Sequence, residues 1–269
     1  MKHVDDQPLT PARGPHLEGL GVSVFHGFTS TPASVEPLAS VLRAAGCLVD
    51  VPLLPGHGTR WQDLSTTPRH TVLRAALASH DRLAARSTAV AAVGLSMGGA
   101  LALHVAAHRA ASGVVVINPC LRLQAWTGIA ARLIRPAIPS VAPVSGDIAK
   151  PGVVEEAYDR TPVGGVVALD RNIAQVRREL DQVTAPVLLM RSARDNVLPV
   201  ASADTLVRRL DPRQLSEVVL QRSQHVATLD HDADLIGRLT LDFLARTVSR
   251  QTGAGRRHLQ GRTHDPQPR

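Results

Sequence analysis

The stretch "TAVAAVGLSMGGALALHVAAH" occupies residues 88–108. It begins as an apolar, β-branched run through Leu95 and continues as an apolar run with helical spacing from Gly98. Between them stands one polar side chain, Ser96, flanked at two residues' distance by Gly94 and Gly98. A tight strand-to-helix turn needs only the glycines. The spacing G-x-S-x-G adds a hydroxyl, which a strained turn of this kind exposes above the edge of a sheet. The pentapeptide is common by chance, so its meaning depends on whether a base, an acid and backbone donors fall where that turn would need them.

The surrounding chain repeats the same rhythm. "LGVSVFH" (20–26), "CLVDVPLL" (47–54), "AVAAVGL" (89–95), "GVVVI" (113–117), "APVLLMRSA" (185–193) and "LSEVVLQ" (215–221) read as strands. Helical spacing follows or separates them over 31–46, about 70–86, 98–110, 201–210 and 232–248. Continuous apolar strands alternating with helices imply a mostly parallel sheet covered by helices on both faces, an α/β architecture. No repeat of fixed period is present.

Residues 121–165 interrupt the alternation. An apolar helical piece, "LQAWTGIAARLIRPAI", is followed by a Pro- and Gly-rich loop and by "GVVEEAYDRTPVGG", with no evident strand. An insertion after the strand at 113–117 lies over the carboxyl ends of the strands, where α/β proteins bind ligands. The expected organisation is therefore a core of 1–120 and 166–249, a small helical cap at 121–165, and a disordered basic tail at 250–269. Within the cap, Trp126, Ile129, Ala130, Leu133 and Ile134 form an apolar stripe at helical spacing. Part of it must seal the cap onto the sheet; Trp126, Ile129 and Leu133 are expected to line an apolar substrate cavity above Ser96.

A serine hydroxyl needs a base to take its proton, and the base needs an acid to hold its tautomer. Asp195, in "SARDNVLP", and His225, in "RSQHVATLD", each follow a strand, in the chain order Ser, Asp, His. Asp204 and Asp211 are rival acids, but one lies inside a helix and the other in an Asp-Pro turn beyond it. His231 is the nearest rival base and follows Asp230 into the last helix. Asp195 also reads as an ordinary Asx-turn residue, and His225 is one of 12 histidines. Backbone donors for an oxyanion are expected from Met97, after the serine, and from Phe28 in "FHGFTS". His26 reads as a hydrogen-bonding organiser of that loop, and His57 in "LPGHGTR" as a structural residue at the cleft rim.

Together, "HGFTSTPASVEPLA", "LPGHG", "VGLSMGG", "APVLLMRSARDNVLP" and "SQHVATLD" resemble the bacterial carboxylesterase and monoacylglycerol lipase group of the α/β-hydrolase superfamily. The resemblance covers about 20–247. It implies the α/β-hydrolase fold, Ser96 as nucleophile, Asp195 and His225 as its partners, and the Phe28 and Met97 amides as oxyanion donors. It further implies hydrolysis of apolar acyl esters, monoacylglycerols among them, through an acyl-enzyme. Two positions depart from the group: Ser30 and Gln224 stand where glycine is usual, and both bear on backbone geometry and pocket shape. Thioester or C–C hydrolysis on the same residues, and a slow or non-catalytic ligand receptor, are the competing readings.

Composition excludes other classes. At 269 residues and 44% hydrophobic the chain buries a sizeable core, and with aromatics at 2% that core is aliphatic. The charge of +7 is concentrated in 250–269, where five arginines face only Asp265. Such a tail can touch nucleic acid or anionic lipid, but it reads as a solvated extension. No basic stripe interleaved with aromatics appears elsewhere, so no nucleic-acid partner is expected. There is no dinucleotide or Walker loop and no His/Cys cluster spaced for zinc, so neither cofactor nor metal is expected. No window is long and apolar enough for a secretory or membrane-spanning segment, and the chain reads as cytoplasmic. Cys47 and Cys120 belong to strand ends about three spacings, roughly 14 Å, apart, too far for a disulfide.

Overall fold

The computed structural model describes residues 17–260. In chain order the elements are β1 (Leu20–Phe25), α1 (Glu36–Ala44), β2 (Leu48–Asp50), α2 (Trp61–Thr66), α3 (Arg69–Ala84) and β3 (Ala89–Leu95). Then follow α4 (Met97–His108), β4 (Val114–Ile117), α5 (Thr127–Ile134), β5 (Ser140–Val141), β6 (Thr161–Pro162) and α6 (Val163–Glu179). The chain closes with β7 (Val187–Ser192), α7 (Ala201–Arg209), β8 (Leu215–Leu220) and α8 (Ala233–Gln260).

Six strands form one sheet in the order β2-β1-β3-β4-β7-β8, and every pairing is parallel. Parallel neighbours need crossovers, and the intervening helices supply them. The aliphatic runs work because both faces of the sheet are covered. Val114 and Val116 pack with α3, α4, α6 and α7 on one face, whereas Val115 and Ile117 pack with α1 and α8 on the other. Val187 and Leu189 repeat the first set, Leu188 and Met190 the second. Each strand thus divides its side chains with period two between two cores. At the outer edge, β8 is half exposed and its Glu217 is ion-paired with Arg191 of β7. A charged edge of this kind discourages pairing with another chain.

Several boundaries differ from those read in the sequence. The run 47–54 is a strand only at Leu48–Asp50, because Pro52 and Pro55 and the turn at Gly56 and Gly58 end it. The helix expected near 70–86 is α3, but the turn-rich segment before it holds a further short helix, α2, separated from α3 at Pro68. The insertion contains a short antiparallel pair, β5 with β6, that no alternation announces at two residues each. α6 starts at Val163, across the expected boundary at 165. α8 runs through Gln260, past residue 249, since extending an established helix costs far less than starting one. The rest of the expected tail, 261–269, and the first 16 residues lie outside the described residues. Cys47 and Cys120 are both free and buried. Among the described residues no helix is long and apolar enough to cross a membrane.

Candidate active site

The carboxyl ends of β1, β3, β4, β7 and β8 all open on one edge of the sheet, and Ser96 sits near its centre, immediately after β3. Its backbone has φ 56° and ψ −117°, a conformation that L-residues rarely adopt. The surrounding glycines explain how it is held. A Cβ on Gly94 would lie 2.1 Å from the Gly98 carbonyl carbon, and one on Gly98 would lie 2.0 Å from the Phe25 carbonyl oxygen. The turn therefore packs backbone directly on backbone. The Ser96 N–H donates to Ile117 O at 2.9 Å, and Ser96 O accepts from Cys120 N–H at 3.0 Å. These bonds tie the turn to β4 and its following loop.

The three residues expected around this turn come together in one hydrogen-bonded line. Ser96 Oγ lies 2.9 Å from His225 Nε2, and His225 Nδ1–H donates to Asp195 Oδ2 at 2.8 Å. Ser96 and His225 are buried, at 8% and 6% exposure, so the line stands at the floor of a cleft. Asp195 uses both oxygens. Its Oδ1 accepts from the Val197 and Leu198 N–H groups at 2.9 and 2.8 Å, the Asx turn that the sequence also suggested. Burial pushes the Asp195 carboxyl up, but the His225 hydrogen bond and these two backbone donors outweigh it and hold it below the usual carboxylate range. Asp195 is thus ionised, and an ionised acceptor fixes the proton of His225 on Nδ1. Nε2 is left free to accept from the serine. Among the rivals, Asp204 pairs with Arg208 on α7 and His231 is exposed.

Residues not singled out in the sequence position the imidazole. Asn118, with φ 43°, donates through Nδ2 to His225 O at 2.8 Å and accepts the Ser192 N–H at 2.7 Å. Asp147, from the insertion, accepts the His225 N–H at 3.0 Å and both the N–H and side-chain amide of Asn196. Asp230 accepts from the N–H groups of Gln224, His231, Ala149 and Lys150, which joins the His225 loop to the insertion. Only Asp230 carried a sequence signal, as the last residue of "SQHVATLD". Ser30, where the resembled group has glycine, donates its hydroxyl to Glu156 O at 3.3 Å and so also grips the insertion.

A cavity of about 170 Å³ opens over Ser96 and His225. Its walls are mainly aliphatic, with Leu123, Val144, Val166, Leu169, Val197 and Leu198 beside Phe28. Gln124, Glu155 and Thr161 add polar groups, and the buried Thr161 Oγ1 has no hydrogen-bond partner among the described residues. Neither the Phe28 nor the Met97 N–H has an acceptor among the described residues. The Met97 N–H belongs to the first turn of α4, where helix donors are intrinsically unpaired.

Two placements differ from expectation. Trp126, Ile129 and Leu133 do not line this cavity; they are 77%, 50% and 75% exposed and face outward. The side of α5 that packs inward is its small one. Ala131 meets Val163 and Val167 of α6, and a Cβ on Gly128 would lie 2.6 Å from the Asp170 carboxyl carbon. Close helix approach selected the small residues and left Trp126, Ile129 and Leu133 outside, whereas Ile134 of the same stripe packs inward against this cluster. His57 is not at a rim either, being 2% exposed behind Phe28, with its ring edge-on to His26 at 5.0 Å. His26 organises its loop as expected, donating from Nδ1 to Gly27 O and accepting the Leu54 N–H on Nε2.

Known proteins share this fold. The sequence pattern of the Alpha/beta hydrolase family matches residues 24–238. The chain is 35% identical to a thermostable monoacylglycerol lipase of Bacillus sp. (strain H-257), over 89% of this chain and 94% of that protein. It is 24% identical to a carboxylesterase of Bacillus subtilis (strain 168), over 91% and 99% of the two chains. Among solved structures, one from a study of two metagenome-derived lipolytic enzymes superposes with a TM-score of 0.82 at 31% identity, covering 87% of this chain and 96% of that one. A six-stranded parallel sheet with this turn at its centre, matched in sequence over most of its length, places the chain in the alpha/beta hydrolase family.

Proposed function

We propose that this protein is a carboxylic ester hydrolase that cleaves monoacylglycerols and similar apolar acyl esters through an acyl-enzyme. The observation that carries the reading is the line Ser96 Oγ, His225 Nε2, Asp195 Oδ2, at 2.9 and 2.8 Å, on the floor of an aliphatic cavity. In this reading His225 takes the Ser96 proton as Oγ attacks the ester carbonyl. The same imidazolium then delivers that proton to the departing alcohol. Water, activated by His225, attacks the acyl-serine in the second half and releases the acid. The unpaired Phe28 and Met97 N–H groups stabilise the oxyanion of each tetrahedral intermediate, a contribution of about 3–4 kcal/mol per donor in comparable sites.

The aliphatic walls suit an acyl chain, and the partly polar lining, with Thr161, Gln124 and Glu155, suits an alcohol that retains hydroxyl groups. The monoacylglycerol lipase relative supports that choice of alcohol. The test is a panel of 1-monoacylglycerols, simple alkyl esters, thioesters and triacylglycerols of matched acyl length. Monoacylglycerols should give the highest kcat/KM. Equal or faster turnover of thioesters would assign the protein to a different substrate class.

A further inference from the structure

On the flank of the molecule away from the Ser96 cavity, α4 meets the end of α6. His104 and His108 stand one helical turn apart on α4 and so share a face. Glu179, the last residue of α6, projects between them. One potential ligand atom from each of the three lies within 4.8 Å of the others. His104 and Glu179 are buried, and the His108 side chain, 34% exposed, stands at the opening.

The donor atoms are already oriented. The His108 Nδ1–H donates to the His104 carbonyl oxygen at 2.9 Å, which turns Nε2 toward Glu179 Oε1, 3.9 Å away. Glu179 Oε1, the same oxygen, accepts from Gln175 Nε2–H at 2.8 Å, and His104 Nδ1 lies 2.7 Å from Glu179 Oε2. A histidine whose second nitrogen is anchored on a carbonyl, and a carboxylate steadied by a further donor, are the supports that metal ligands require. A simple His–Glu hydrogen bond accounts for His104 and Glu179. It does not account for a third group, His108, whose Nε2 faces the same carboxylate.

We propose that His104, His108 and Glu179 form a binding site for a divalent transition-metal ion, with zinc the best match to two imidazoles and one carboxylate. Zinc–nitrogen and zinc–oxygen bonds of about 2.0–2.2 Å set tetrahedral ligand atoms roughly 3.3 Å apart. The 2.7 Å contact to Oε2 and the 3.9 Å contact to Oε1 bracket that spacing, and a turn of the carboxylate brings one oxygen within reach of both nitrogens. The metal takes the place of the proton between His104 Nδ1 and Glu179 Oε2, and that proton moves to His104 Nε2. The fourth position, on the exposed His108 side, is left for water. The sequence conceals the site because two ligands are one turn apart while the third comes from another helix.

The site plays no part in ester cleavage. His108 is twelve residues beyond Ser96 along α4, roughly 18 Å at the helical rise. Its effect is to fasten the helix that starts at the Ser96 turn to the helix that leads out of the insertion.

The test uses the full chain without an affinity tag, stripped with chelator and titrated with zinc chloride by calorimetry, with melting followed in parallel. The wild type should take up one equivalent with a rise in melting temperature. His108→Ala, at the surface, should keep the metal-free melting temperature but bind zinc at least tenfold more weakly and lose the rise. Glu179→Gln, which preserves hydrogen bonding to Gln175 but gives up the charge that faces His104, should start from a lower metal-free melting temperature and likewise bind zinc at least tenfold more weakly, without the rise. No stoichiometric uptake by the wild type, or equal affinity in His108→Ala, would overturn the proposal.

Discussion

Asp147, on the insertion, accepts the backbone N–H of His225 at 3.0 Å, across 78 residues of chain. The same carboxylate holds Asn196, the neighbour of Asp195. The insertion thus sets the position of both partners of Ser96 as well as covering them. Asp147→Ala should lower kcat about tenfold or more with little change in KM, since misplacement by about 1 Å can cost 10²-fold. Asp147→Asn, which retains one carbonyl acceptor, should recover part of the loss. Equal damage to kcat and KM in both variants would reduce Asp147 to a general structural contact.

The turn at Ser96 should tolerate no added atom. Gly98→Ala places a methyl 2.0 Å from the Phe25 carbonyl oxygen, between two backbones that cannot part without moving β1 from α4. Overpacking of this kind costs about 1–3 kcal/mol or more. At that cost, calorimetry should show melting lowered by roughly 2–12 °C in a domain of this size. An unchanged melting temperature would mean that the turn is looser than its geometry implies.

Much of this arrangement was legible in the sequence, because each of Ser96, Asp195 and His225 follows its own strand in a parallel sheet. Strand ends on one edge must converge, whatever the details of the loops. Asp147 and Asn118 were not legible, since what they do depends on backbone groups far away in the chain. The outward stripe of α5 shows a different limit. Periodicity revealed that Trp126, Ile129 and Leu133 share a face, but the inward side was decided by Gly128 and Ala131, whose small size permits close approach to α6.

The specificity of the cavity should therefore follow its walls and not the outer stripe. Each methylene buried in the cavity contributes up to about 0.8 kcal/mol, or roughly fourfold in kcat/KM. Rates on soluble esters should climb with acyl length and then level off. Val166→Phe, which narrows the cavity, should move that optimum to shorter chains. Leu133→Ser should leave the profile on soluble esters unchanged. A shifted optimum in Leu133→Ser would return the outer stripe to the substrate path.

His26 and His57 should make the fold sensitive to acid. Burial, aided by the neighbouring His57 ring, lowers the His26 pKa to about 3, and burial lowers that of His57 to about 4. Between those values and 6.5 the unfolded chain carries protons on these rings that the folded protein does not. Stability therefore falls as pH falls through that window, by about 1.4 kcal/mol per pH unit for each ring. In urea unfolding at pH 5 to 6, His57→Gln should show a shallower pH dependence by close to one proton. Identical slopes in the two proteins would remove His57 from the account.

The proposed role of Ser96 as nucleophile can be read from covalent labelling. A fluorophosphonate probe incubated with the native protein should attach once, and peptide mass spectrometry should locate it on Ser96. Ser96→Ala should fold and melt as the wild type does, take up no probe, and lose ester hydrolysis by a factor on the order of 10⁶, the cost of a missing serine in a comparable site. Labelling of another serine, or ester turnover at the wild-type rate in Ser96→Ala, would contradict it.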